Sequence, residues 1–137
     1  MRVPADTACL EEYVYFDYNY KSENYRDAAI NWRKLMLDCP TLYESLYLNG
    51  ETLFKALIEA ESSEDRKIQM IDTLILIQDL RIKYYGKEGF VLGKKGVLLC
   101  KYKPKELELA YHAFEVSVGL RNQNQSFRYL TAISERW

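Results

Sequence analysis

At 137 residues, 48% of them hydrophobic and 28% charged, the chain has the size of one ordinary domain and enough apolar residues for a core. Nineteen basic residues against twenty acidic ones leave a formal net charge of -1, which argues against a nucleic-acid-binding surface or an acidic tail. No stretch of about 18 apolar residues is present to span a bilayer, and the opening Met-Arg-Val-Pro-Ala-Asp lacks the apolar segment of a secretory signal.

Three cysteines, Cys9, Cys39 and Cys100, are widely spaced, and His112 is the single histidine. A zinc site needs about four close ligands, so no metal is expected. Without a Cys-x-x-Cys pair, no thiol redox motif is expected either. Proline and glycine are scarce, which favours long helices over a β-sandwich.

The first predicted helix covers residues 7–22, with Leu10, Tyr13, Val14, Phe16 and Tyr20 at helical spacing. The run Tyr13-Val14-Tyr15-Phe16 also fits a strand, and the acidic first turn favours helix. A turn at 22–24 leads to a second helix at 25–38, with Ala28, Ala29, Trp32, Leu35 and Met36 as its apolar positions. It stops before Pro40, which disfavours helix in the residue preceding it. Thr41 is the expected cap of a third helix, 42–61.

Ser62-Ser63-Glu64-Asp65 reads as a helix start, a hydroxyl cap followed by acids at the positive end of the helix dipole. The fourth helix, with Ile68, Ile71, Leu74, Ile75, Ile77 and Leu80, runs to Tyr85 and ends at Gly86. A fifth follows at 88–101, with Phe90, Leu92, Val97 and Leu98 apolar and Cys100 expected in the core. Pro104 restarts a sixth, to about residue 120. After the polar loop 122–125, an amphipathic seventh segment covers 126–137. The prediction is an all-α chain of about seven helices arranged as antiparallel hairpins: pairs at 7–38, 42–85 and 88–120, with a trailing helix.

The stretch from Glu23 to Pro40 resembles the second half of a tetratricopeptide repeat without a gap. Tyr25, Ala28, Trp32 and Pro40 stand at that family's aromatic, small, large-aromatic and closing-proline places. Ala28 permits close approach of two helices, and Trp32 fills the space one turn later. Gly50, Gly96 and the pair Ala110 and Phe114 echo the pattern more faintly. Asn24-Tyr25-Arg26-Asp27-Ala28 with Trp32 and Cys39-Pro40, followed by Arg81-Ile82-Lys83-Tyr84-Tyr85-Gly86, is similar to exported envelope tetratricopeptide proteins of Bacteroidetes. The resemblance implies a short right-handed solenoid in a single domain, 1–137, forming the N-terminal part of a longer protein. It also implies a periplasmic or envelope location with the signal peptide removed; the cytoplasm is the alternative.

Twelve tyrosines are present, four of them (Tyr13, Tyr15, Tyr18 and Tyr20) on the first helix. One reading buries their rings and leaves the hydroxyls wet. The other places them in a ligand groove. In the family resembled, the first helix of each pair lines the concave face. Carried over residue by residue, this gives Tyr13, Asp17, Tyr20 and Lys21 in the first pair, Glu44, Tyr47, Glu51 and Lys55 in the second, and Lys94 and Lys101 in the third. Aromatic platforms with mixed charges suit a peptide better than a phosphate polymer.

Cys9 opens the first helix and Cys39 closes the second, so a hairpin sets them side by side. They are either a disulfide, in an oxidising compartment, or two separate buried thiols. The glycine and lysine runs at 86–89 and 93–96 lack the spacing of a phosphate loop. His112 and the acidic pairs Glu11 and Glu12, or Glu64 and Asp65, form no catalytic setting. The expected function is a protein- or peptide-binding scaffold without catalysis, cofactor, nucleic acid or small-molecule substrate. The alternative is a structural spacer or homo-oligomerisation module of a larger envelope protein.

Overall fold

A computed structural model describes residues 3–122, with side chains from 7 to 120. Every regular element among the described residues is helical: α1 (Val3–Lys21), α2 (Tyr25–Asp38), α3 (Ser45–Ala60), α4 (Glu64–Tyr85), α5 (Glu88–Tyr102) and α6 (Leu107–Asn122). The expected seventh helix at 126–137 lies outside the described residues.

The residues from Tyr13 to Phe16 belong to α1, whose Phe16 is fully buried. α1 ends in a Schellman motif. The Asn24 N–H donates to the Asn19 carbonyl at 2.8 Å and the Glu23 N–H to the Tyr20 carbonyl at 3.1 Å, with Glu23 left-handed at φ +62°. This reverses the chain in three residues, so α2 packs back along α1. α2 stops where expected: the Cys39 N–H closes the last turn on Leu35 at 2.7 Å, and Pro40 follows.

α3 starts later than predicted. Residues 40–44 form the turn, with the Leu42 N–H bonded to the Cys39 carbonyl at 3.1 Å. The N-cap is Glu44 rather than Thr41, and it makes no side-chain capping bond. Redirecting the chain after Pro40 consumes the residues that propensity alone assigned to helix. Tyr47 braces this turn. It is 1% exposed, and its hydroxyl donates to the Pro40 carbonyl at 2.7 Å. α6 likewise begins at Leu107 instead of Pro104, after a turn in which the Glu106 N–H reaches the Lys103 carbonyl at 2.9 Å.

Ser63 caps α4 through its Oγ, which accepts the Arg66 N–H at 3.4 Å. Gly86 ends that helix as an αL cap: its φ is +74° and its N–H donates to the Ile82 carbonyl at 2.9 Å.

The chain divides into two compact units, Met1–Ile77 and Gln78–Trp137. In the first, α2 packs against both α1 and α3, around Phe16, Ala28, Trp32, Leu35, Leu46, Leu53 and Phe54. Trp32 lies over Gly50. Its indole N–H donates to the Leu46 carbonyl at 2.9 Å, and its ring meets Phe54 edge-on at 5.3 Å. In the second unit α5 packs on α6, with Val91, Leu98, Leu99, Ala110, Ala113 and Val118 buried. Here Phe114 lies over Gly96, and the Ser117 hydroxyl donates to the Gly89 carbonyl.

Several residues assigned to apolar faces are in fact exposed: Leu10, Val14, Ile68, Phe90 and Val97. Cys100 is exposed as well, not in the core. The apolar residues of these helices spread over a wider arc than the packed face covers, so periodicity marks more positions than neighbours can bury.

Candidate partner-binding face

The residues of the proposed groove fall into distinct settings. α1 presents Tyr13, Asp17, Tyr20 and Lys21, with Tyr13, Asp17 and Tyr20 half-buried and Lys21 exposed. Their rings form a chain of contacts. Tyr13 meets Tyr43 edge-on at 4.9 Å and Phe16 at 6.3 Å. Phe16 stacks on Tyr20 at 5.5 Å, and Tyr20 reaches Tyr25 at 6.2 Å. Such pairs add about 0.5–1.5 kcal/mol each beyond the area they bury. The row is therefore held in place from below by buried Phe16 while its outer edges meet solvent.

Asp17 and Lys21 pair at 3.0 Å, one turn apart on the same helix. Partial burial raises the Tyr13 pKa, and the charge of Asp17 raises it further, so this phenol is a neutral hydrogen-bonding group throughout the physiological range. The Lys21 ammonium is also held above its ordinary pKa, by its hydrogen bond to Asp17 and then by that group's charge.

On α3, Glu51 and Lys55 pair at 3.1 Å, with Glu51 mostly covered. Tyr47 is not a surface platform: its ring is in the core and its hydroxyl is used by Pro40. Glu44 is half-buried at the start of α3. Lys94 and Lys101 belong to the second unit, where the Lys101 ammonium lies 5.2 Å from the centre of the Tyr102 ring.

Cys9 and Cys39 form a disulfide, with Cα atoms 6.0 Å apart, that joins α1 to the residue closing α2. Close by in sequence, Asn19 Nδ2 donates to Asn31 Oδ1 at 2.8 Å and Asn31 Nδ2 to Glu12 Oε2 at 2.6 Å. This side-chain relay ties α1 to α2 along the hairpin.

Sequence reasoning missed Tyr43, the asparagine relay and the exposed stripe of Leu10, Val14 and Tyr18. The stripe was detectable from its spacing of four residues. Tyr43 had no such signal, because its role depends on where the turn after Pro40 delivers it.

Among the described residues, no three or more His, Cys, Asp or Glu side chains gather closely enough to hold a metal ion. No helix among them is long and apolar enough to cross a membrane. No protein-family model, curated protein or solved structure matches the chain.

Proposed function

We propose that the chain is a tetratricopeptide-like array of helical hairpins whose α1 face binds a protein or peptide partner. The observation that carries the binding reading is the tyrosine row: half-exposed rings of Tyr13 and Tyr20, fixed from beneath by Phe16 and bordered by the Asp17–Lys21 pair. Pre-positioned aromatic edges with charges beside them can take up apolar side chains and pair with backbone amides at low ordering cost.

The repeat reading is supported by one contact made twice. Trp32 covers Gly50 in the first unit, and Phe114 covers Gly96 in the second. Each aromatic follows a buried alanine by four residues, Ala28 and Ala110. The Cys9–Cys39 disulfide supports residence in an oxidising compartment, as expected for an exported protein.

Panning a random-peptide display library on the folded chain, then measuring the selected peptides by fluorescence anisotropy, tests the binding face. Replacing Tyr13 and Tyr20 with Ala should weaken Kd by about tenfold or more, the scale of an aromatic anchor, with the helical circular-dichroism signal retained. Unchanged affinity in a folded double variant sinks the assignment.

A further inference from the structure

The near-neutral total charge conceals a strong division. The unit Met1–Ile77 has 14 acidic and 8 basic residues, a net of -6, while Gln78–Trp137 has 6 acidic and 11 basic, a net of +5. Each unit also has apolar side chains open to solvent on its helices, among them a stripe on α1 in the first unit and one on α5 in the second. On α1, Leu10, Val14 and Tyr18 recur every fourth residue, with Tyr15 beside them; Val14 is 62% exposed and Tyr18 68%. Exposed Glu11 borders this stripe. On α5, Phe90 and Val97, 49% and 60% exposed, alternate with Lys94 and Lys101 at spacings of three and four, which sets all four on one face.

We propose that the chain associates with further copies of itself head to tail, the α1 face of one copy seated on the α5 face of the next. The occupant follows from charge. Pairing α1 with α1 would set two units of net -6 together, and pairing α5 with α5 would do the same with two of net +5. Only the mixed pairing brings opposite charges together while covering both apolar stripes. The contact is heterologous, so it propagates beyond a dimer unless a ring closes. This names one partner for the proposed scaffold, but it uses other residues than the Tyr13 and Tyr20 row and stands or falls separately from it.

Sedimentation velocity on the whole chain over a wide concentration range tests the proposal. At low salt the mean mass should rise with concentration, and half-molar salt should return it to the monomer, because screening removes the attraction between exposed charges. Two surface variants then test the geometry. Val14→Lys combined with Tyr18→Lys disables the α1 face, and Val97→Arg disables the α5 face. Each should be monomeric alone, and their equimolar mixture should form a one-to-one complex through the remaining intact pair of faces. A wild-type chain that stays monomeric at every concentration overturns the proposal. So does association indifferent to salt, or a variant mixture that remains monomeric while the wild type associates. Unchanged peptide affinity in the Tyr13 and Tyr20 variant, with this self-association intact, would overturn the groove and leave the contact between copies standing.

Discussion

Trp32 and Gly50 are fitted to each other so closely that a methyl group at position 50 would stand 2.6 Å from the indole Nε1. The indole cannot simply move aside, because its N–H is engaged with the Leu46 carbonyl at 2.9 Å, one helical turn before Gly50. The Gly96 and Phe114 pair repeats this, with a methyl group placed 2.5 Å from the ring. In α6, by contrast, Gly119 has nothing within 4 Å of such a position.

Alanine substitutions at these glycines should therefore differ in sign. Helix propensity favours Ala over Gly by roughly 1 kcal/mol, while overpacking costs about 1–3 kcal/mol. Gly50→Ala and Gly96→Ala should lower stability on balance, and Gly119→Ala should raise it by about 0.5–1 kcal/mol. Urea unfolding midpoints decide this, and a stabilised Gly50→Ala protein would show that the Trp32 contact yields freely.

The disulfide encloses a sequence separation of 30 residues. A loop of that size corresponds to about 3–4 kcal/mol in the chain-entropy model. The Cys9→Ser and Cys39→Ser double variant should lose stability on that scale relative to the unreduced wild type. Thiol titration of the unreduced, denatured chain should find one free thiol, Cys100. Three free thiols would mean the bridge does not form.

Among the described residues, two positions carry a left-handed backbone without being glycine: Glu23 at φ +62° and Lys87 at φ +56°. A side chain in that region costs roughly 1–2 kcal/mol. Glu23→Gly and Lys87→Gly should each recover part of this, less the added freedom of the unfolded chain. An increase in melting temperature for Glu23→Gly would be the direct sign that the Schellman turn governs the cost.

Stability should fall at both ends of the pH range, for different residues. The Glu61 carboxylate accepts the Ser63 N–H at 3.0 Å and pairs with Arg66 at 3.3 Å, and these hold its pKa below the ordinary glutamate value. A depressed folded pKa gives stability that is complete above the unfolded value and is lost as pH falls through the folded one. Glu61→Gln should therefore flatten part of the acid limb. Tyr13 has the opposite sense of shift, raised by burial and then by Asp17. Its contribution is complete below the ordinary tyrosine value of about 10 and is lost as pH rises from there through the folded value. Tyr13→Phe should reduce the alkaline slope, as read from unfolding free energies across the pH series.

The helical class, the turn at 22–24, the break at Pro40 and the Gly86 stop were all legible in the sequence, because each follows from local chemistry. The 3.6-residue spacing of apolar positions, a residue barred from helix before proline, and a glycine free to adopt positive φ act within a few residues of themselves. Ala28, Trp32 and Leu35 were legible as core for the same reason.

Tertiary structure decided what those local rules leave open. Tyr13, Tyr20 and Tyr47 look alike in the sequence, yet Tyr47 is sealed in the core against Pro40 while Tyr13 and Tyr20 keep their edges at the surface. Leu10 and Val14 lie one turn apart on one face of α1 and Phe16 lies on another, yet only the face of Phe16 is covered. Helical periodicity says that side chains share a face; whether a neighbouring helix covers that face depends on contacts between residues distant in the chain.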